Sequence, residues 1–142
     1  NIRGILNLLY MKSGNDEQYS YMTSALKESS GMSKYGAVQN YGKFLLRCNA
    51  TNAMSGLNAV AQVGYSDPQW FIRLAATQAL SEIAKSYGKS AGQNTGVAQP
   101  GSGVLNDRAA IESENVRKKA EELVGDIKSK ETDPNLTRIY AR

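Results

Sequence analysis

Apolar residues recur along this chain with the spacing of an α-helix that buries one face. The pattern is clearest between residues 72 and 83, at positions i, i+3, i+4, i+7, i+8 and i+11. These positions hold Ile72, Ala75, Ala76, Ala79, Leu80 and Ile83. Apolar stripes also predict helices over residues 2–12, 16–29, 33–48, 51–63 and 104–130. The last segment is either one long helix, which we favour, or a short helix that bends into a longer one. No stretch alternates apolar and polar residues over the length of a strand, so the sequence predicts an all-α fold.

Glycine, asparagine, proline and capping residues predict where these helices end and begin. Helix ends are expected at Ser13-Gly14-Asn15, Ser30-Gly31 and Gly64. Helix starts are expected at Ser66 or Asp67, followed by Pro68, and again at Thr132-Asp133-Pro134. Residues 88–103 are rich in Gly, Ser and Gln, which predicts a flexible inserted loop. The loop separates helical repeats in residues 1–87 from a C-terminal repeat or cap in residues 104–142.

One helical pattern occurs four times. It begins at Ile72, and related copies begin at Ile2, Val38 and Val116. A recurrence of roughly 30–45 residues is typical of a solenoid of stacked helix pairs. Small residues lie within the repeated stripe, and we expect Gly42 and the alanines of residues 75–79 to let neighbouring helices approach closely.

The segment Asp67-Pro68-x-x-x-Ile72-Arg73-x-x-Ala76-x-x-Ala79-Leu80-x-x-Ile83 resembles the second helix of a HEAT repeat, and armadillo-type repeats are close relatives. The resemblance implies a right-handed α-solenoid of about three stacked, antiparallel helix pairs. It further implies that Asp67 caps its helix and that Arg73 contacts its counterpart in the adjoining repeat, as part of a ladder inside the stack. Arg3 and Arg117 occupy the arginine slot in two other copies, whereas Gln39 departs from it. The aspartate slot holds Ser33, still a good capping residue, in one copy and Ile111 in another.

The amino-acid composition limits the classes of function that this chain can have. The chain has no histidine, which removes the commonest general base and the commonest metal ligand, so we expect a non-catalytic protein without a cofactor or metal. Cys48 is the only cysteine, which is typical of a reducing compartment and favours the cytoplasm. No apolar run reaches the ~18 residues needed to span a bilayer. The formal net charge is +4 without a concentrated basic stripe, so nucleic acid is not the favoured partner.

Repeat proteins of this kind work mainly by presenting a surface, so we expect a scaffold or interaction module for a protein or peptide partner. Trp70 lies off the inward stripe and is a candidate partner contact, together with polar residues along the first helix of each pair. A nucleic-acid-binding helical repeat and a HEAT-like lyase or cofactor-handling enzyme remain as alternatives. The chain begins within a predicted helix, which favours a fragment of a larger repeat protein or self-association through the N-terminal end.

Overall fold

A computed structural model describes residues 16–89 and 103–141 of this chain, and within them it contains helices and no strand. The all-α prediction is therefore confirmed for the described residues. We number the helices α1 (Asp16–Glu28), α2 (Gly31–Leu45), α3 (Ala50–Ser66), α4 (Trp70–Ser86), α5 (Gly103–Lys130) and α6 (Pro134–Tyr140). The predicted helix over residues 2–12 and residues 90–102 of the predicted loop lie outside the described residues. No helix among the described residues is long and apolar enough to cross a membrane.

Several helix boundaries agree with the sequence prediction. The segment 103–130 is one continuous helix, as expected from its uninterrupted stripe. Asp133 caps α6 by accepting a hydrogen bond from the backbone N–H of Asn135, and Pro134 lies in the first turn. Asn49 is a cap that the sequence pattern did not predict, and it accepts a hydrogen bond from the backbone N–H of Asn52 at 2.8 Å at the start of α3. These caps form because a short side-chain oxygen satisfies an N–H that the helix leaves unpaired at its start.

Three predicted boundaries are wrong. Gly64 does not end α3, which continues to Ser66 because Gly64 packs against α5. Asp67 does not cap α4: that helix has Gln69 at its N-cap, and Asp67 instead closes α3. Ser33 lies inside α2, whose N-cap is Ser30. In all three cases the sequence contains a residue suited to a helix end, and packing or a neighbouring residue determines the actual end.

Each of the helices α1 to α4 packs against the next helix and the next but one. Thus α2 contacts α3 and α4, α3 contacts α4 and α5, and α4 contacts α5 and α6. The connections over residues 29–30, 46–49 and 67–69 are short, as expected between helices that lie side by side. The arrangement places α4 at the centre of the described chain, in contact with helices on both sides.

The direction of the helices follows from pairs of contacts. The ring of Tyr35 on α2 lies 6.2 Å from that of Phe71 on α4, and further along both helices Gly42 lies against Ala79. Both helices advance in the same direction between the two contacts, so α2 and α4 are parallel. By the same reasoning α4 and α5 are antiparallel, because Arg73 pairs with Glu131 while the C-terminal end of α4 meets Ser113.

The predicted apolar stripes form the core. All six stripe positions of α4 are buried or half-buried, and Val38, Tyr41 and Leu45 of α2 are fully buried. A Cβ atom added to Gly42 would lie only 2.8 Å from the Cβ of Ala79, so these two small residues do allow close approach of α2 and α4. Burial of this apolar surface is the main favourable term in folding. The largest fully buried side chains are Tyr41, Phe44, Leu45, Leu57, Ile72, Leu80, Ile83, Ile127, Leu136, Val38, Val60 and Val116.

Candidate functional site

A row of four charged residues runs from α2 through the start of α4 to the end of α5. The Lys34 ammonium lies 2.8 Å from the carboxylate of Asp67, which also accepts a hydrogen bond from the backbone N–H of Gln69. Arg73 donates to the backbone carbonyl of Asp67 at 2.6 Å and forms two hydrogen bonds of 3.0 Å with the carboxylate of Glu131. We call Lys34, Asp67, Arg73 and Glu131 the charge ladder. It links α2, the end of α3, α4 and the end of α5 through side chains that are mostly buried.

The Arg73–Glu131 pair is the electrostatic centre of this ladder. Hydrogen bonding from Arg73 lowers the pKa of the Glu131 carboxyl, and backbone N–H groups of Thr132 and Asp133 act in the same direction. The pKa of Arg73 is raised, mainly by its hydrogen bonds to Glu131. Only 4 % of the Glu131 side chain and 14 % of the Arg73 side chain are exposed. Both groups are therefore charged and mutually satisfied, which is the condition for tolerating charge away from water.

Within residues 16–89 and 103–141, Arg73 binds Glu131 and the end of α3, and the implied contact with its counterpart in the adjoining repeat is not seen. Arg117 on α5 nevertheless makes the corresponding interaction one helix later. It donates to the backbone carbonyl of Tyr87 at 2.6 Å and to the Glu114 carboxylate at 2.7 Å. In both cases an arginine neutralises the last carbonyls of the preceding helix, where the helix dipole is negative. Arg3 lies outside the described residues.

Trp70 is half-buried, although its position off the stripe favoured exposure. Its ring meets that of Phe71 edge-on, with centroids 6.1 Å apart, and Phe71 in turn contacts Tyr35. Edge-to-face geometry of this kind is favourable between aromatic rings. Trp70 therefore belongs to an aromatic cluster at the N-terminal ends of α2 and α4, with part of its surface open to solvent.

A groove lies between α2 and α4 and is open to solvent, with a volume of about 210 Å³. Its floor consists of small and apolar residues, which are Gly42, Leu46, Ala75 and Ala79. Its walls carry exposed polar side chains, which are Gln39 and Lys43 on α2 and Gln78 and Glu82 on α4. We call this feature the α2–α4 groove. It combines apolar surface with hydrogen-bonding groups and one charge of each sign, which is typical of a binding site for a short segment.

Sequence reasoning did not select the groove residues. It favoured polar residues on the first helix of each pair, whereas α2 and α4 both correspond to the second helix in the HEAT resemblance. A signal was present: Gln39 lies four residues after Tyr35, and Gln78 lies seven residues after Phe71, so each shares a helical face with an aromatic residue. The sequence contains nothing that indicates how the two faces meet.

A second, more polar cleft of about 300 Å³ lies where the C-terminal ends of α3 and α5 meet. Tyr65 donates a hydrogen bond to the Asp126 carboxylate, which raises the pKa of Tyr65 to about 12 and lowers that of Asp126. Lys130 lies 3.2 Å from the same carboxylate and 5.4 Å from the centre of the Tyr65 ring. The polar groups of this cleft thus satisfy one another within the chain.

Among the described residues, no three His, Cys, Asp or Glu side chains come together in a way that could hold a metal ion. Comparison with family models, with curated proteins and with solved structures gives no match to this chain. The described residues thus define an all-helical protein with a buried charge ladder and an open, amphipathic groove.

Proposed function

We propose that this chain is a non-catalytic interaction module in which HEAT-like helix pairs stack into an α-solenoid, and that the α2–α4 groove is its contact surface for a protein or peptide partner. The observation that carries the proposal is the packing order, in which each of the helices α1 to α4 contacts the next helix and the next but one. Such an order is expected of repeats that bury their apolar faces against neighbours only. In that architecture, parallel helices of successive repeats share one surface, as α2 and α4 do.

The form of the groove supports binding of a segment in preference to catalysis. Its one carboxylate, Glu82, accepts a hydrogen bond from the Ser86 hydroxyl, and the chain contains no histidine to act with it. General acid–base chemistry usually needs two groups with separated pKa values in one pocket. Exposed amide side chains and an apolar floor instead offer contacts that a polypeptide can satisfy.

The charge of the groove favours a polypeptide partner over a nucleic acid. The groove carries one cation, Lys43, and one anion, Glu82, so it has no net positive field along its length. Nucleic-acid binding depends on several cations that neutralise phosphates. A polypeptide partner with mixed charge fits better. The cytoplasm remains the proposed location, supported by the single, buried Cys48.

The test is selection of binders from a library of displayed peptides, followed by backbone NMR with the purified chain. We expect the largest chemical-shift changes along α2 and α4, on the groove face. Replacing Gln78→Arg puts a long charged side chain at the groove and should weaken binding about tenfold or more. The matched control is Gln62→Arg, because Gln62 is equally a glutamine exposed on a helix but lies on α3, away from the groove. Equal losses in both variants, or shifts confined to another surface, contradict the proposal.

A further inference from the structure

The parallel course of α2 and α4 fixes which residues face each other across the groove. Tyr35 is level with Phe71, and Gly42 is level with Ala79. On α2 the stripe Tyr35, Gln39, Gly42 and Leu46 continues along one face with spacings of four, three and four residues. The facing stripe on α4 begins at Phe71 and has the same spacing through residues 75, 78 and 82. The two facing stripes therefore continue beyond the groove, at their N-terminal ends, to the aromatic pair Tyr35–Phe71.

The two charges on the walls are offset by about one residue of an extended chain. Lys43 follows Gly42 by one position, or about 1.5 Å along the helix, whereas Glu82 follows Ala79 by three positions, or about 4.5 Å. Counted from the Gly42–Ala79 contact, the Cα atoms of Lys43 and Glu82 are displaced by about 3 Å along the groove, and counted from the Tyr35–Phe71 pair they are displaced by about 4.5 Å. The rise per residue of a β-strand is ~3.3 Å, and successive side chains point to opposite sides. Two neighbouring residues of an extended peptide thus match the two charges.

Hydrogen-bonding capacity favours an extended occupant over a helix. Gln39 and Gln78 each carry an amide that both donates and accepts, and both are exposed at the groove walls. An α-helix satisfies its own backbone groups and docks through a stripe of large apolar side chains. An extended segment has free backbone N–H and C=O groups that need partners. The small, shallow floor around Gly42 and Ala79 offers too little apolar surface to hold the stripe of a helix.

We propose that the α2–α4 groove binds an extended peptide segment in which an acidic and a basic side chain, at successive positions, meet Lys43 and Glu82 respectively. An apolar side chain of the same segment lies against the Tyr35–Phe71 pair. Along the helix axes, Lys43 and Glu82 lie about 12–16 Å from the aromatic pair Tyr35–Phe71. In an extended peptide this distance corresponds to about four residues, which separate the apolar residue from the charged pair. This inference rests on the proposed function, because it names the partner class of the same groove.

The test begins with a displayed library of random heptapeptides, selected against the folded chain. We expect enrichment of adjacent acidic and basic residues with an apolar residue about four positions away. Binding of a synthetic peptide of the enriched sequence is then measured by calorimetry. Lys43→Glu or Glu82→Lys alone should weaken binding at least about tenfold, since each places like charges together. The control Lys27→Glu, at an exposed lysine on α1, should leave the affinity unchanged.

The double variant Lys43→Glu/Glu82→Lys gives the sharpest result. It keeps the composition and net charge of the groove but exchanges the two signs. We expect it to recover affinity only for a peptide whose acidic and basic residues are exchanged as well. Circular dichroism shows whether each variant keeps the helical content of the parent chain, which matters because all four substituted forms must be folded for the comparison.

The outcomes separate this inference from the proposed function. If no displayed peptide binds the folded chain, the proposed function fails and the inference fails with it. If peptides bind and Gln78→Arg weakens them, but exchange of charges has no effect, only the charge pairing is overturned. Enrichment of sequences with apolar residues at i, i+3, i+4 and i+7 identifies a helical occupant and overturns the extended segment, while the groove remains the contact surface.

Discussion

The Arg73–Glu131 pair gives a direct test of how the charge ladder holds α4 and α5 together. The perturbation is a double-mutant cycle with Glu131→Gln, Arg73→Met and the two combined. Glutamine keeps an oxygen that can accept from the backbone N–H groups of residues 132 and 133, so the cycle isolates the charge interaction. The bond from Arg73 to the end of α3 is lost in both arginine variants and cancels in the cycle.

The expected magnitude follows from geometry and burial. The pair makes two charge-assisted hydrogen bonds of 3.0 Å, and such bonds contribute about 1.5–3 kcal/mol each when they are sheltered from water. Arg73 keeps 14 % of its side chain exposed, so part of its charge remains solvated. We expect a coupling free energy of about 2–4 kcal/mol, measured by urea unfolding followed by circular dichroism. Each single variant should lower the free energy of unfolding by a similar amount. Arg73→Met leaves the Glu131 carboxylate without its cation, and Glu131→Gln leaves the Arg73 guanidinium without its anion.

The stabilisation that the Arg73–Glu131 pair contributes should fall in acidic solution. The folded-state pKa of Glu131 lies below its ordinary value of 4.5, because Arg73 stabilises the carboxylate. The pair therefore contributes its full stabilisation above about pH 4.5, and the contribution is lost as the pH falls through the folded-state pKa. We expect the coupling to be constant between pH 7 and pH 5.5 and to decline in more acidic solution.

Arg117–Glu114 is the matched control. It is also an arginine–glutamate pair, at 2.7 Å, but 49 % of the Glu114 side chain is exposed and the two residues share one helix. Exposed pairs of this kind contribute about 0.2–1 kcal/mol. Equal coupling in the two cycles, or coupling below about 0.5 kcal/mol for Arg73–Glu131, refutes the reasoning that burial makes the ladder pair strong.

Three further substitutions test the packing and the caps by urea unfolding. Gly42→Ala brings a Cβ to 2.8 Å from the facing alanine of α4 and should destabilise the chain by about 0.5–2 kcal/mol, after subtracting the helix preference of alanine. Gly36→Ala on the same helix is its control and should stabilise by about 0.5–1 kcal/mol, because nothing lies within 4 Å of the added atom. Tyr87→Phe removes the hydrogen bond from its hydroxyl to the buried backbone carbonyl of Cys48 and should cost about 0.5–1.5 kcal/mol, whereas a loss under about 0.3 kcal/mol would contradict that contribution. Asn49→Ala removes the N-cap of α3 and should cost about 1 kcal/mol, and an unchanged midpoint would contradict that role.

Helical periodicity predicted the class of the fold because the spacing of apolar residues is a local property of a sequence. The stripe from Ile72 to Ile83 is buried as expected, and the long helix 103–130 follows from the absence of a breaking residue. Phe44 and Leu136 are also fully buried although no repeated pattern selected them. Their burial depends on which neighbouring helix covers them, and a pattern along one helix does not contain that information.

The candidate site was less predictable because it depends on pairs of residues far apart in sequence. Arg73 was selected for its slot in a repeat, yet its partner Glu131 lies 58 residues away and belongs to no repeated motif. Asp67 was selected as the cap of α4. The structure instead places it at the end of α3, where its carboxylate pairs with Lys34. Residue type and spacing selected Asp67 and Arg73 but neither of their partners, Lys34 and Glu131, because the topology determines which residues meet.

The contact between Gly42 and Ala79 has a consequence for the width of the groove above it. Residue 42 acts as a spacer whose size determines how far apart the axes of α2 and α4 lie. A chain of this type with alanine or serine at position 42 should have a wider slot, and should therefore accept bulkier ligands. Ligand preference is thus adjustable through the floor of the groove, with the charged residues on its walls unchanged.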